Sequence, residues 1–422
     1  MTQEQILYTS TVFGYPPIGG PEIYVANTIR ALSIGNNLHL LSGSSNSFAS
    51  QNGFDYEAFK QSLGIRSFHE YRSTRFNSRI LNKIFRGLAL FGFSNHVREF
   101  AKITCEHAVK NNCNIVWVGY GNISFQYIRQ LRKINPSLLI VCDTDSVWSD
   151  FVLRSGTYAN PIRKSPIWLT GVLHKKQESS FLKYANAVTA VSRVDLKRYQ
   201  SIMQTFHGVF EKSNVINIDE YIKYENTEVN QYSICLMGSF GKKNSSMDSS
   251  TRWFLKDIFP LISNIEPRAS VQIVGKNASN WSSYSSSTVH VHSDVDSTLP
   301  YIARSHVVIV PLLFESGTRF KILEAGALKK PLVSTTLGAE GLPVFNEEHI
   351  LVGDTSQSFA NAVLRAFDQS VGGKISSNLN SLVKREFTVL NAAEQCDLVI
   401  KTLTREQLTR KDQNASRTRT TR

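Results

Sequence analysis

The chain has 422 residues, 41% hydrophobic and 19% charged, with 47 Lys and Arg against 34 Asp and Glu, a formal net charge of +13. That length exceeds what one hydrophobic core organises, so two domains are expected, and the apolar share excludes a largely disordered chain. The positive balance favours anionic partners. No zinc-finger spacing, ribonucleoprotein motif or basic-zipper heptad accompanies it, so nucleic acid is not an expected partner.

Five cysteines (Cys105, Cys113, Cys142, Cys235 and Cys396) are odd in number and lack metal-site spacing. Reduced thiols without disulfides, in a cytoplasmic protein, fit that usage. The start, MTQEQILYTS, has no basic region followed by a long apolar run. Nor does any run of about 18 apolar residues occur, so secretion and membrane spanning are not expected.

In chain order, short apolar runs alternate with longer segments of helical period, the pattern of an α/β protein with parallel sheets covered by helices. Strands are expected at 5–9, 38–42, 114–118, 138–142 and 187–191, with a helix at 23–32. A second series follows at 233–237, 270–274, 289–292, 307–311, 332–334 and 350–352. Between them, 213–227 is polar and rich in Asn and Glu and reads as the linker. Two doubly wound, Rossmann-like domains facing each other, residues 1–215 and 216–400, are the expected architecture. The segment 401–422, with Arg405, Arg410, Lys411, Arg417, Arg419 and Arg422, reads as a disordered basic tail. Ligands of such sheets bind beyond the carboxyl ends of the strands, so the loops there are where chemistry is sought.

The first such loop is Tyr15-Pro16-Pro17-Ile18-Gly19-Gly20-Pro21-Glu22. Gly19 and Gly20 allow close backbone approach, and the helix start offers free N–H groups to a phosphate or sugar hydroxyl; a plain strand-to-helix turn fits the same letters. The second runs from Pro311 to Ala325. Ser316, Gly317 and Thr318 at a helix entry, with Arg319 and Lys321 beside them, outline a diphosphate site. Glu324, one turn on, has two acceptor oxygens for a ribose diol. A solvated helix face is the bland alternative. The third is Met237-Gly238-Ser239-Phe240-Gly241-Lys242-Lys243, where a flexible turn leaves either lysine within reach of an anion.

With these residues in order, the chain resembles the family 4, or group 1, glycosyltransferases of the GT-B fold. The likeness extends over the Pro-Pro-x-Gly-Gly loop, Ala190-Val191-Ser192, Met237-Gly238-Ser239 with Trp253-Phe254 and Phe259-Pro260, Ser316 to Ala325, and Ser334 to Gly341, ending near Asp354. It implies transfer with retention of configuration and no cofactor or metal. It further implies a nucleotide-diphosphate sugar donor held mainly by the second domain, and a glycan or lipid-linked acceptor in cell-surface polysaccharide assembly. Gly19, Gly20, Gly238, Ser239, Ser316, Gly317, Thr318 and Glu324 are the expected donor-binding residues. Arg319, Lys321 and Asp145 are the expected catalytic ones.

The chain departs from the family pattern at several places. The family's first glutamate, seven residues before Glu324, is replaced by Ser316, with Glu315 one residue too early. The usual Arg and Lys after the first strand of the second domain fall on Ser239 and Asn244, so Arg319 and Lys321 are expected to substitute. A first-domain His aligns with Thr144, leaving Asp143 or Asp145 for the polar role at that strand end. Asp143-Thr144-Asp145 also spells the metal-binding Asp-x-Asp of the other large glycosyltransferase fold, but the second sheet argues against that fold. Two rival readings remain, a non-catalytic nucleotide-binding partner and a nucleotide-sugar epimerase. Finally, Arg72, Arg75, Arg79, Lys83 and Arg86 accompany Ile80, Leu81, Ile84, Phe85, Leu88 and Phe91. An interfacial helix on an anionic membrane surface and a core helix with a basic outer face both fit that segment.

Overall fold

The computed structural model of the chain describes residues 3–17, 19–43, 54–71, 95–157, 161–241, 245–314 and 320–420. Within them lie two parallel sheets. The first has the order β3-β2-β1-β4-β5-β6-β7 and the second β10-β9-β8-β11-β12-β13. The strands of the first are β1 (Gln5–Ser10), β2 (Asn37–Ser42), β3 (Ser67–Glu70), β4 (Ile115–Gly119), β5 (Leu139–Asp143), β6 (Ala187–Ala190) and β7 (Val209–Glu211). Those of the second are β8 (Asn230–Met237), β9 (Ser270–Gly275), β10 (Val289–Ser293), β11 (Ser305–Val310), β12 (Leu332–Ser334) and β13 (Leu351–Val352). Strand order reverses between β1 and β4 and again between β8 and β11, so each sheet has its crevice at the carboxyl ends of those pairs.

Period-two alternation sorts the first sheet onto two cores. Ile6, Tyr8, Leu40, Ile115 and Trp117 face one helical layer, while Leu7, Leu41, Val116 and Val118 face the other. Because both faces are covered, these strands read as nearly continuous apolar runs. All six expected strands of the second half are present. In the first half, β3 and β7 escaped the sequence reading: they are edge strands of four and three residues, and SFHE carries no sustained apolar pattern.

The 213–227 stretch does run between β7 and β8 and so joins the two sheets, while one expectation about the chain's end is corrected. The join begins buried: Ser213, Asn214, Val215 and Ile216 are shielded, as is Lys212 just before it. Its backbone is held by Asn27, whose amide donates to the Val215 carbonyl at 2.7 Å, and by Gln395, which accepts from the Ser213 N–H at 2.8 Å. The basic tail is helical rather than disordered, because the helix Val389–Thr420 continues through it. Ala392, Cys396, Val399, Ile400 and Leu403 insert into the first domain's core beside the helix Gly20–Ser33, so the chain's last helix belongs with the first sheet. That apolar stripe at helical spacing is what orders the segment.

Gly275 closes β9 at φ +136°, and a Cβ there would lie 2.1 Å from the Gly238 carbonyl oxygen. Neither backbone has room to yield, so Gly275→Ala is expected to cost about 2–4 kcal/mol of folding stability, read as a lower midpoint in urea denaturation.

Candidate functional site

At the crevice of the first sheet, Gly19 precedes the helix Gly20–Ser33 with φ +87° and is exposed. A Cβ on Gly19 would meet nothing, so glycine is needed there for backbone conformation; one on Gly20 would sit 3.4 Å from the Phe320 ring. Phe320 opens the helix Phe320–Ala327 of the second domain, immediately after the expected diphosphate loop. The glycine loop and this helix are therefore brought face to face.

The two carboxylates after β5 do different work. Asp143 is fully buried, and its Oδ1 accepts from the Tyr24 hydroxyl at 2.7 Å and the Thr189 hydroxyl at 2.5 Å, with Lys212 Nζ at 3.4 Å. Lys212 also donates to Thr28 Oγ1 at 2.8 Å. Asp143 thus holds the domain together. Asp145 is only partly covered, and its Oδ1 accepts from the Asn122 amide at 2.6 Å. Burial raises its carboxyl, hydrogen bonds from Asn122 and Tyr120 lower it, and the balance leaves it at about 6. An acid there exchanges its proton near neutrality, as an acid–base group requires.

In the second domain, Gly238 and Ser239 follow β8, and Ser239 is exposed. A Cβ on Gly238 would lie 2.7 Å from Met247 Cε, and Met247 Sδ is 3.3 Å from Lys321 Nζ, so glycine turn and lysine converge. Glu324 lies below them, 7% exposed, beside Tyr221 of the segment joining the sheets. Burial raises its carboxyl to about 7 against the opposing charge of Lys321 and the hydrogen bond with Tyr221. Ser316, Gly317, Thr318 and Arg319 lie outside the described residues, as do Lys242, Lys243 and the 72–91 segment.

A cross-domain clasp was not anticipated. Glu340, in the loop after β12, accepts from Arg154 NH1 at 2.6 Å and NH2 at 3.1 Å, and from Arg198 NH2 at 2.7 Å. Arg198 also reaches Asp150 at 3.2 Å and Asp195 at 3.4 Å. Burial raises the Glu340 carboxyl, but the two arginines outweigh it and hold it down at about 2. Thr336 of the same loop donates its N–H and hydroxyl to Asp354 at 2.8 and 2.6 Å, which ties together the last two pieces of the family resemblance.

Residues 232–369 match the family model for glycosyl transferases group 1. The match falls within the second domain and spans its sheet from β8 to β13. No curated protein sequence matches the chain. Among solved structures, sucrose-phosphate synthase (tll1590) from Thermosynechococcus elongatus superposes with a TM-score of 0.69 at 16% identity, over 96% of this chain and 100% of that one. Anabaena Alr3699/HepE in complex with UDP-glucose gives 0.64 at 13%, covering 95% and 99%. The α,α-trehalose 6-phosphate synthase of Burkholderia multivorans gives 0.65 at 10%, covering 96% and 100%. The common fold is GT-B, two facing α/β domains.

Within that fold the described candidate residues fall in two groups: Gly19, Gly20 and Asp145 on the first domain, and Gly238, Ser239, Lys321 and Glu324 on the second. Glu340 and its arginines were legible as letters but not as a pair, since 186 residues separate Arg154 from Glu340. Tyr120 and Asn122, the partners of Asp145, carried no sequence signal.

Two outcomes test these charges. Asp145 has a folded pKa above the unfolded value, so it favours folding at acid pH and loses that contribution as pH rises through about 6. Asp145→Asn is therefore expected to raise stability at pH 8 by about 1–2 kcal/mol and to flatten the pH dependence of the melting temperature between about pH 4 and 6. Glu340 is the opposite case: its contribution is present above the unfolded carboxylate value of about 4.3 and disappears as pH falls towards 2. Glu340→Gln is expected to lower neutral-pH stability by about 1 kcal/mol after solvent screening, and to increase the radius of gyration measured by small-angle scattering.

Proposed function

We propose that the protein transfers a sugar from a nucleotide-diphosphate donor to a glycan or lipid-linked acceptor, with retention of configuration. The observation that carries this reading is the juxtaposition of the first domain's glycine loop with the donor helix of a group 1 glycosyl transferase domain, Gly20 against Phe320. Structures of Alr3699/HepE hold UDP and UDP-glucose, which makes a uridine donor the first to try.

Cleavage of the sugar–phosphate bond leaves negative charge on the diphosphate. Arg319, Lys321 and the N–H groups at the start of the helix Phe320–Ala327 would receive it. One such donor contributes roughly 2.7–4 kcal/mol to the transition state. Glu324 takes the ribose hydroxyls, giving up its contact with Tyr221. Asp145, near 6 and held by Asn122, handles the polar side of the acceptor pocket. The leaving phosphate itself helps remove the acceptor proton on the same face, which requires no separate nucleophile and no metal ion. Ser316 in place of the family's first glutamate favours one rival, a partner that binds donor without turning it over.

Calorimetric titration and turnover with a panel of nucleoside diphosphates and their sugars, in the presence of chelator, separate these readings. Binding of one nucleotide that resists chelator, weakens in both Glu324→Ala and Arg319→Ala, and is accompanied by acceptor-dependent release is the expected result. Arg319→Ala should lose roughly 100- to 1,000-fold in transfer rate. Binding without release moves the protein to the non-catalytic class, and a full transfer rate in Arg319→Ala overturns the mechanism.

A further inference from the structure

Between β5 and β6 the chain makes an excursion that neither the sheet nor the cleft chemistry requires. The helices Trp148–Thr157 and Pro161–Glu178 form an antiparallel hairpin. At its base Glu178, buried and raised to about 7 chiefly by burial, accepts from the Ser149 N–H at 3.2 Å and from its hydroxyl. Further along, Gly171 and Gly156 lie where a Cβ would strike Leu153 and Ile167, so the two helices touch closely. The inner helix also carries Arg154 to Glu340, which places the hairpin at the mouth between the domains.

The outer helix turns an apolar stripe to solvent. Trp168, Leu169 and Val172 are 61%, 65% and 40% exposed, and their spacing of three and four residues puts them on one face. Exposed Lys164 lies one turn before Trp168, and exposed Lys175 and Lys176 lie one turn after Val172. The helix has one acidic residue, Glu178, and it is buried in the base. An aromatic and aliphatic patch about 6 Å long, flanked by lysines over about 18 Å of the helix and free of exposed carboxylate, has the composition of a helix that lies in a bilayer interface.

We propose that the outer face of this hairpin docks on an anionic lipid surface, with Trp168, Leu169 and Val172 entering the acyl boundary and Lys164, Lys175 and Lys176 meeting headgroup phosphates. Charge selects this occupant over a second copy of the same face, which would set lysine against lysine. The lysine stems cover apolar surface while their ammonium groups stay in the headgroup layer. The inference does not depend on the donor chemistry and stands or falls separately from it.

Flotation of the full chain with vesicles of phosphatidylcholine, alone or with about one third phosphatidylglycerol, tests it at low and high salt. The intact protein is expected to float with the anionic vesicles only, and to be released by salt. Trp168→Ala with Leu169→Ala is expected to reduce partitioning roughly tenfold or more, and Lys175→Glu with Lys176→Glu to do the same at low salt. Melting curves and nucleotide binding of both variants, whose substitutions lie outside the donor site, should match the parent and so exclude misfolding. The proposal is overturned if the parent does not float, if it floats equally with phosphatidylcholine alone, or if both variants float like the parent. It is likewise overturned if sedimentation shows a dimer that Trp168→Ala dissociates, which would assign the stripe to a second copy.

Discussion

Lys212 carries its ammonium group into the interior of the first domain, where only 2% of the side chain is exposed. There it meets Asp143 at 3.4 Å, donates to Thr28, and lies 3.9 Å from the centre of the Tyr24 ring. A charge so placed must be compensated, since breaking such a pair costs about 3–5 kcal/mol. The compensation joins three elements: the carboxyl end of β5, the helix Gly20–Ser33, and the point where the chain leaves β7 for the second domain. The glycine loop before that helix, the aspartates after β5 and the crossing between domains are thereby fixed relative to one another.

The crossing itself is double. Four residues beyond Lys212, the Ile216 N–H donates to the Phe387 carbonyl at 3.0 Å, where the returning chain enters its last helix. Both passages run side by side, and the helix Val389–Thr420 then packs on the first domain. Three further contacts bridge the halves: Arg30 to Glu220 at 2.9 Å, Gly20 against Phe320, and Glu340 between Arg154 and Arg198. The covalent crossings are buried and bonded, whereas the side chains of the Glu340 clasp are 22–27% exposed. Opening of the cleft, where it occurs, meets least resistance at the clasp, because exposed ion pairs contribute little and break without unpairing buried groups.

How much of this was legible in the sequence follows the same division. Buried parallel strands announce themselves as apolar runs, so all six strands of the second sheet were read within a few residues of their ends. The β3 and β7 edges were not, because an edge strand is half solvated and its side chains follow no strict pattern. The 213–227 stretch was legible as a join but not as a buried one, because Asn and Glu mark exposed linkers in general, while here Asn214 is buried and Glu220 pairs with Arg30. The basic tail was read apart from what precedes it: Cys396, Val399 and Ile400, with Leu403 inside the segment, keep a helical spacing that carries the helix into it. At the site, glycines and cations were readable from local loop grammar. Asp145 was recognisable as a candidate, but its distinction from Asp143 was not, since it arises from partners that are distant in sequence: Tyr24, Thr189 and Lys212 for one, Asn122 and Tyr120 for the other.

The carboxylates then show what the architecture costs and what it prepares. Asp145 near 6 and Glu324 near 7 are raised chiefly because burial disfavours their charged forms. Glu178, at about 7, fastens the hairpin under the same constraint. Each makes the folded protein less favourable at neutral pH than a neutral side chain of the same shape would. A fold selected for stability alone has no reason to keep them, and Glu340, pinned at about 2 by two arginines, shows the stabilising arrangement available to the same residue type. Strain of this kind persists where a ligand or a second partner relieves it. Among the described residues Glu324 bonds the Tyr221 hydroxyl and has two acceptor oxygens, so in the proposed reaction a diol arriving beside Lys321 would add to its hydrogen bonding and favour the carboxylate. Under the proposed function, the raised acid and the hydrogen-bonded carboxylate are two states of one residue, with donor binding as the step between them.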